Sequence, residues 1–172
     1  MPEREEERGP QRVVNEFQMR KRTLPRWECP EAIYHVRAKV HPERPERLVA
    51  PALGEIVRRS LHHGDGSRYE LHCYVLMPSH FHAILRPLRR NGGAIPLPEI
   101  MQSLKGATAH HINKLVGVTG AFWMAESYNR IIRCSDEYGE TFDYIWRNPY
   151  AAGLVDDPDD WAWWWERGMG VP

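Results

Sequence analysis

The sequence predicts an α+β domain whose elements run βαββαβ, with one further helix toward the C-terminal end. Three observations predict it. "AIYHVRAKVH", "RYELHCYVLM" and "HFHAILRP" read as strands, the first by strict alternation of apolar and polar side chains. "ERLVAPALGEIVRRSLHHG" and "LPEIMQSLKGATAHHINKLVG" read as helices that stop at glycine. "YNRIIRC" supplies a short last strand, and Ser135, Asp136 and Glu137 after it form a helix start, with acids at the positive end of the helix dipole.

In chain order, Tyr34, Val36, Ala38 and Val40 line one side of the first strand, and Ile33, His35, Arg37 and Lys39 the other. The first helix ends near Gly64, with Pro51 either in its first turn or at a kink. The second and third strands are joined by Pro78 and Ser79 in a hairpin-like connection of unassigned turn type. In the second helix Pro98 suits the first turn, Ile100, Leu104, Ile112 and Leu115 make the apolar stripe, and Gly117 is the stop. The third helix ends by Asn148 and Pro149. This order is ferredoxin-like: two helices over one face of a four-stranded antiparallel sheet, with the other face left for ligands or added elements.

At 172 residues the chain is long enough for one domain with its own core, expected over 25–165, with a charged arm over 1–24 and a short tail over 166–172. No run of about 18 apolar residues exists to span a bilayer. The opening "MPEREEERGPQR" has the wrong charge pattern for a secretory signal, so a soluble, intracellular (cytoplasmic) protein is expected. Cys29, Cys73 and Cys134 are odd in number and lack CxxC spacing, which speaks against a disulfide framework or a cysteine zinc site and for buried free thiols. The formal net charge is zero but unevenly spread. Residues 1–62 carry 13 Lys/Arg against 10 Asp/Glu, residues 63–134 carry 8 against 4, and residues 135–172 carry 2 against 9. A mildly basic body permits nucleic-acid binding without demanding it.

In "HFHAILRP", Phe81, Ala83 and Leu85 suit packing under the helices, which sends His80, His82 and Ile84 to the opposite, open face. Two histidines on one face of an apolar strand are either ordinary core residues or joint ligands of a cation. In the third helix, Tyr138, Phe142 and Ile145 form the apolar stripe, whereas Tyr144 lies about 120° away around the helix and projects with Asn148, four residues on. Spacing alone leaves two readings for that pair: an interfacial aromatic with a simple C-cap, or participants in a site with the histidines.

The segments "YVLMPSHFHAILRP", "SLKGATAHHIN", "GAFWMAESYNRIIR" and "YIWRNPYAAGLV" resemble, in order and approximate spacing, the IS200-like (Y1) transposases, closest to the branch associated with repetitive extragenic palindromes. The resemblance covers roughly Leu24 to Trp164. These proteins are HUH enzymes, named for histidine, a hydrophobic residue, histidine, which here are His80, Phe81 and His82. The resemblance implies that Tyr144, four residues before Asn-Pro, is the nucleophilic tyrosine carried by the added helix, and that Asn148 is a polar residue beside the metal. Ser79 stands where many relatives have asparagine. Tyr150 and Ala151 replace the commoner valine and arginine after Asn-Pro, which puts a backbone-phosphate contact in doubt.

The implied activity is metal-dependent cleavage and rejoining of single-stranded DNA near hairpins through a 5′-phosphotyrosine. His80, His82 and Asn148 would hold Mg²⁺ or Mn²⁺; two imidazoles favour Mn²⁺, while phosphate and water oxygens would serve Mg²⁺. The absence of GxxxxGK[ST] agrees with transesterification that needs no ATP. For DNA contact the candidates are Arg37 and Lys39 on the open face, Arg86, Arg89 and Arg90 at and after the end of the third strand, and Lys105 in the second helix; their bland role is solubility. Partners are single-stranded DNA with palindromic hairpins and no membrane, the protein being a monomer or a homodimer. Trp161, Trp163, Trp164 and Trp165 are expected to anchor the tail rather than to stack on bases. Two other classes stand against this reading. One is a catalytically silent hairpin-binding protein. The other is a zinc hydrolase using His80, His82 and either His72 or Cys73, which strand alternation sends to opposite faces, and which would lack a motif glutamate base.

Overall fold

The computed structural model describes residues 18–20, 26–28 and 32–170. A short antiparallel pair, β1 (Gln18–Arg20) and β2 (Arg26–Glu28), precedes the main body. The rest of the arm expected over 1–24 lies outside the described residues, as does Cys29.

The body begins with β3 (Ile33–Lys39), α1 (Pro51–Gly64), β4 (Tyr69–Met77) and β5 (His80–Pro87). A small hairpin of β6 (Arg89–Arg90) and β7 (Gly93–Ala94) follows. Then come α2 (Leu97–Val116), β8 (Tyr128–Ile132) and α3 (Ser135–Trp146). After α3 the chain forms α4 (Asn148–Ala151), a 3-10 turn (Pro158–Asp160) and β9 (Trp164–Glu166). The sheet order is β8-β3-β5-β4-β9 and every pairing is antiparallel. Its first four strands have the expected βαββαβ arrangement.

Pro51 opens α1 instead of kinking it, because a residue without an N–H is harmless where that N–H would have no helical partner. The turn between β4 and β5 has two residues, with Met77 paired to His80; Pro78 and Ser79 carbonyls accept from Leu48 and Val40 N–H groups at 2.9 and 2.8 Å. α2 ends as expected at Gly117, whose φ of 73° is left-handed backbone that glycine adopts without strain. α3 starts one residue earlier than its signal, since Cys134 and not Ser135 is the capping position; Glu137 reaches back to the Arg133 N–H at 2.7 Å. Nor does the chain stop being helical at Asn148-Pro149. Arg147 bridges α3 to α4, and Pro149 is buried in the first turn of the new helix.

Phe81, Ala83 and Leu85 are fully buried with Val57, Leu61, Ile100 and Leu104 under α1 and α2, as the alternation requires. The opposite face is not left open. Cys73, Val75, Met77, Ile84 and Ile132 bury themselves against Ile145, with Tyr138 and Phe142 of α3 and Trp161 and Trp164 packed around them. The sheet is thus a middle layer, and the apolar stripe of α3 needs this second core for the same reason α1 and α2 need the first.

The C-terminal tryptophans anchor the chain as expected, and they do so by adding a strand. β9 pairs with the outer edge of β4, setting Trp165 opposite Tyr74 and Trp164 opposite Val75. Trp165 stacks on Tyr74 at 5.7 Å between ring centres, Trp164 meets Phe142 edge-on at 5.3 Å, and Trp161 Nε1 donates to the Leu76 carbonyl at 2.9 Å. The tail boundary drawn at residue 166 therefore falls inside a strand. Arg167 extends the attachment, with its N–H on the His72 carbonyl at 2.8 Å and its guanidinium on Asp65 at 2.6 Å. Among the described residues no helix is long and apolar enough to cross a membrane.

Candidate active site

His80 and His82 are on β5, on the face that α3 crosses. Register adds neighbours from β3: Lys39 lies opposite His80, Arg37 opposite His82, and His35 opposite Ile84. All six share one face, because directly opposed residues of an antiparallel pair point the same way. Tyr128 of β8 lies opposite Arg37 on the far side, and its ring is 5.5 Å from the Arg37 guanidinium carbon.

The histidines form a compact group. The rings of His80 and His82 are perpendicular with centres 4.9 Å apart, and those of His35 and His82 have centres 5.0 Å apart. His35 Nε2 lies 2.8 Å from His82 Nδ1, and Ser79 Oγ lies 3.2 Å from His80 Nδ1. His82 is only 1% exposed and His35 only 6%, so the expectation of two ligands on an open face needs correcting: α3 roofs the central histidine. Burial, reinforced by Arg37 and Arg130, pulls His35 down to about 4. Burial, then Arg37 and Lys39, pulls His80 to about 4. Burial, then His35, His80, Arg37 and Lys39, pulls His82 to about 2. Each imidazole is neutral near pH 7 and keeps one nitrogen lone pair.

Over this group stands Tyr144. Its ring meets His82 edge-on at 5.7 Å and His35 at 6.1 Å, yet the side chain is 53% exposed. Tyr138, by contrast, is turned into the second core, where its hydroxyl meets His72 Nδ1 at 3.1 Å. The angular argument that separated the two tyrosines is reproduced. Asn148 does project with Tyr144: its Nδ2 donates to the Tyr144 carbonyl at 3.1 Å, which leaves Oδ1, the only atom of that amide able to ligate a cation, outside that bond. It is the first residue of α4, and Arg147 occupies the cap position.

A comparison with solved structures shows the same architecture. A REP-associated tyrosine transposase bound to a REP hairpin superposes with a TM-score of 0.70 at 18% identity, over 84% of this chain and 82% of that one. The fold is that of a tyrosine transposase. A candidate transposase from Deinococcus radiodurans R1 matches with a TM-score of 0.45 at 17% identity, over 87% of this chain and 98% of that one. No family model matches the chain, and no curated protein matches it.

The donor set fits a divalent cation. Among the described residues no group of three or more His, Cys, Asp or Glu side chains is arranged to hold a metal. Two neutral imidazoles and an amide oxygen suit Mn²⁺ or, with more oxygen ligands, Mg²⁺. Arg37 Nε is buried beside the histidines without a hydrogen-bond partner among the described residues.

The six basic residues singled out from the sequence are divided by the fold. Arg37 and Lys39 flank the histidines. Arg86 shares their face but lies six residues along the strand, about 20 Å from His80, and it is bonded to Glu70 through Nε at 3.1 Å. Arg89 donates to the Gly92 carbonyl at 2.7 Å within the β6–β7 hairpin, and Arg90 pairs with Glu99 at 2.8 Å. Lys105 Nζ donates to the Met124 and Ala125 carbonyls at 2.6 and 2.9 Å, and Trp123 Nε1 donates to Thr108 at 2.9 Å. The "SLKGATAHHIN" and "GAFWMAES" segments are thereby locked together, and they hold the chain that leads into β8.

His72 and Cys73 do not face opposite ways. A register shift between Leu71 and Cys73 is a β-bulge that turns both toward α3, His72 onto the Tyr138 hydroxyl and Cys73 into the second core. Burial pushes the Cys73 thiol up to about 12, and its side chain is packed among the apolar residues of the second core. Cys134 is exposed, contrary to the expectation of buried thiols. A cavity of about 990 Å³ lies between α1 and α2, lined by Arg59, His63, Tyr69, His111 and Lys114 among others. It is on the other side of the sheet from the histidines and includes none of the site residues singled out from the sequence. Size is a poorer guide here than the convergence of nucleophile and ligand types.

The residue that the sequence reading missed is His35. Alternation put it on the face of Arg37 and Lys39, and only the β3–β5 register brings it diagonally onto His82.

Proposed function

We propose that this chain cleaves and rejoins single-stranded DNA beside hairpins through a covalent bond between Tyr144 and a 5′ phosphate. The observation that carries the reading is the position of Tyr144: an exposed tyrosine on α3, edge-on to His82 of the HUH pair, with Asn148 bonded one turn later. The REP hairpin in the similar solved structure makes hairpin DNA the substrate class to try first.

In the reaction, Tyr144 Oη attacks the scissile phosphorus and the bond to the 3′ oxygen breaks. The tyrosine proton passes to water, and the leaving oxygen takes a proton from water to become a 3′-OH. The phosphodiester energy is kept in the tyrosine ester, so attack by another 3′-OH reseals DNA without ATP. Mg²⁺ or Mn²⁺ bound by His80, His82 and Asn148 would polarise the phosphate and neutralise charge that develops on it. The Arg37 guanidinium, with its buried unpaired Nε, binds a phosphate of the incoming strand, and Lys39 extends the positive edge beside His80. Exposed Tyr128, under Arg37, offers a base-stacking surface.

The test incubates the protein with hairpin-bearing single-stranded DNA and Mn²⁺, with and without EDTA, and separates products under denaturing conditions. A metal-dependent adduct whose nucleotide maps to the peptide containing Tyr144 is the expected result. DNA binding without an adduct in any divalent metal would leave a silent hairpin-binding protein in its place.

A further inference from the structure

We propose that His35 is a positioning residue for His82: its Nε2 accepts the Nδ1–H of His82 and so fixes the tautomer in which His82 Nε2 keeps a free lone pair for a metal ion. The inference rests on the metal-site reading above and assigns a role to a side chain that the HUH pattern does not contain.

The argument starts from proton counting. A neutral imidazole has one N–H and one lone pair on its two ring nitrogens. His35 Nε2 and His82 Nδ1 are 2.8 Å apart in a buried contact, so a single proton lies between them. If His35 donates it, His82 carries its own proton on Nε2 and has no lone pair left for a cation. If His82 donates it, Nε2 of His82 is the lone-pair nitrogen, and His35 carries its proton on Nδ1. Only the second arrangement allows His82 to be a ligand, since its Nδ1 is already occupied by His35.

The surroundings favour a fixed arrangement over a loose one. The two rings meet nitrogen to nitrogen with their planes inclined by 28° in the layer under Tyr144, and His35 is held by backbone pairing on both sides, to Ile84 of β5 and Arg130 of β8. His80 has a parallel partner, Ser79 Oγ at its Nδ1, so both histidines of the pair have Nδ1 engaged and Nε2 outside that bond. A hydroxyl can turn to donate or accept, whereas His35 is a rigid ring in a sheet. Outer partners of this kind set ligand orientation and basicity, and removing one weakens metal affinity by about 10–100-fold.

The experiment begins with the metal-free protein labelled with ¹⁵N-histidine at pH 7.5, in which long-range ¹H–¹⁵N spectra report each tautomer. His82 is expected with its proton on Nδ1, and so is His35. Mn²⁺ binding is then measured by the paramagnetic resonance signal of the free ion in wild type, His35→Phe and His35→Gln, each first checked for a native melting transition. His35→Phe fills the space without an acceptor and is expected to release the His82 tautomer and bind Mn²⁺ about 10–100-fold more weakly. His35→Gln restores an acceptor through Oε1 and is expected to recover most of that loss. His82 found with its proton on Nε2 in the wild type, or His35→Phe binding Mn²⁺ like the wild type, overturns the positioning role alone. A His35 Nε2 that takes the shift of a metal-bound nitrogen on addition of Zn²⁺ also overturns it, because the ring is then a ligand. A wild type with the expected tautomers that takes up no Mn²⁺ removes the metal reading of the site, and the positioning role with it.

Discussion

The ring of Tyr144 meets the ring of His82 edge-on, 5.7 Å between centres, across the interface of α3 with β5. That relationship divides the tyrosines of this region. Tyr144 is half out in solvent above the histidines, while Tyr138 is packed in the second core with its hydroxyl on His72. Tyr144→Phe removes one hydroxyl from an exposed side chain and keeps the ring packed on His82. We expect its melting temperature and DNA affinity to match the wild type and its covalent adduct to vanish. Tyr138→Phe breaks a part-buried hydrogen bond at a cost of about 0.5–1.5 kcal/mol and should still form the adduct. An adduct that persists in Tyr144→Phe would overturn the site.

The two histidines of the pair differ in burial, and their alanine variants should differ in stability. His82→Ala deletes a nearly fully buried ring and leaves His35 Nε2 without its partner, so a loss of about 1–3 kcal/mol follows. His80 is half-buried, and its Nδ1 bonds to the Ser79 hydroxyl, which water can satisfy in its place, so His80→Ala should cost about 1 kcal/mol or less. Both should abolish adduct formation. Urea midpoints measured without metal separate the two effects; equal destabilisation would contradict the roofed position of His82.

How much of this was legible beforehand follows from which distances each inference needed. Period-two alternation sorted Phe81, Ala83 and Leu85 from His80 and His82, and helical angle sorted Tyr138 from Tyr144, because both are local consequences of backbone geometry. Local geometry failed where the backbone was irregular. The bulge near His72 reversed the predicted direction of one residue, and the continuation through Arg147 made Asn148 a first residue of α4 instead of a cap. What needed tertiary register was out of reach: His35 on His82, α3 as a roof over the supposed open face, and β9, made from two tryptophans read only as an aromatic anchor and from Glu166, read as tail. The basic residues show the same limit. Composition cannot distinguish Arg37, with its unpaired buried Nε, from Lys105, whose ammonium is held by two carbonyls.

That division sets an expectation for DNA binding. If phosphate neutralisation dominates, the logarithm of affinity falls linearly with the logarithm of salt, and each phosphate left without its cation lowers the slope by about 0.7 for a single strand. Arg37→Ala and Lys39→Ala should each reduce the slope by about that amount. Arg86→Ala should leave it unchanged, since that guanidinium is engaged by Glu70 at the far end of the strand. Fluorescence anisotropy of a labelled hairpin strand between low and moderate salt reads the slopes. A reduction of that size in Arg86→Ala, with none in Arg37→Ala, would move the DNA track to the other end of β5.

The attachment of the C-terminal chain to α1 supplies the last expectation. Gly54 is buried within α1, where alanine is ordinarily the better helix former by about 1 kcal/mol. Here a Cβ would run into Trp163 Cη2 and lie 2.8 Å from the Leu48 carbonyl oxygen. Neither can yield freely. The indole is wedged beside the main core two residues before Trp165, which is fixed by pairing and stacking on Tyr74, and the carbonyl belongs to the backbone leading into α1. Overpacking of this kind costs about 1–3 kcal/mol and outweighs the propensity gain. Gly54→Ala should therefore be destabilised, and because the displaced ring belongs to the segment that forms β9, the loss should appear first there. Hydrogen exchange of the Trp164–Glu166 amides, compared with those of β5, checks this: faster exchange confined to β9 is expected, and a Gly54→Ala protein more stable than the wild type would mean that Trp163 does not pack against α1.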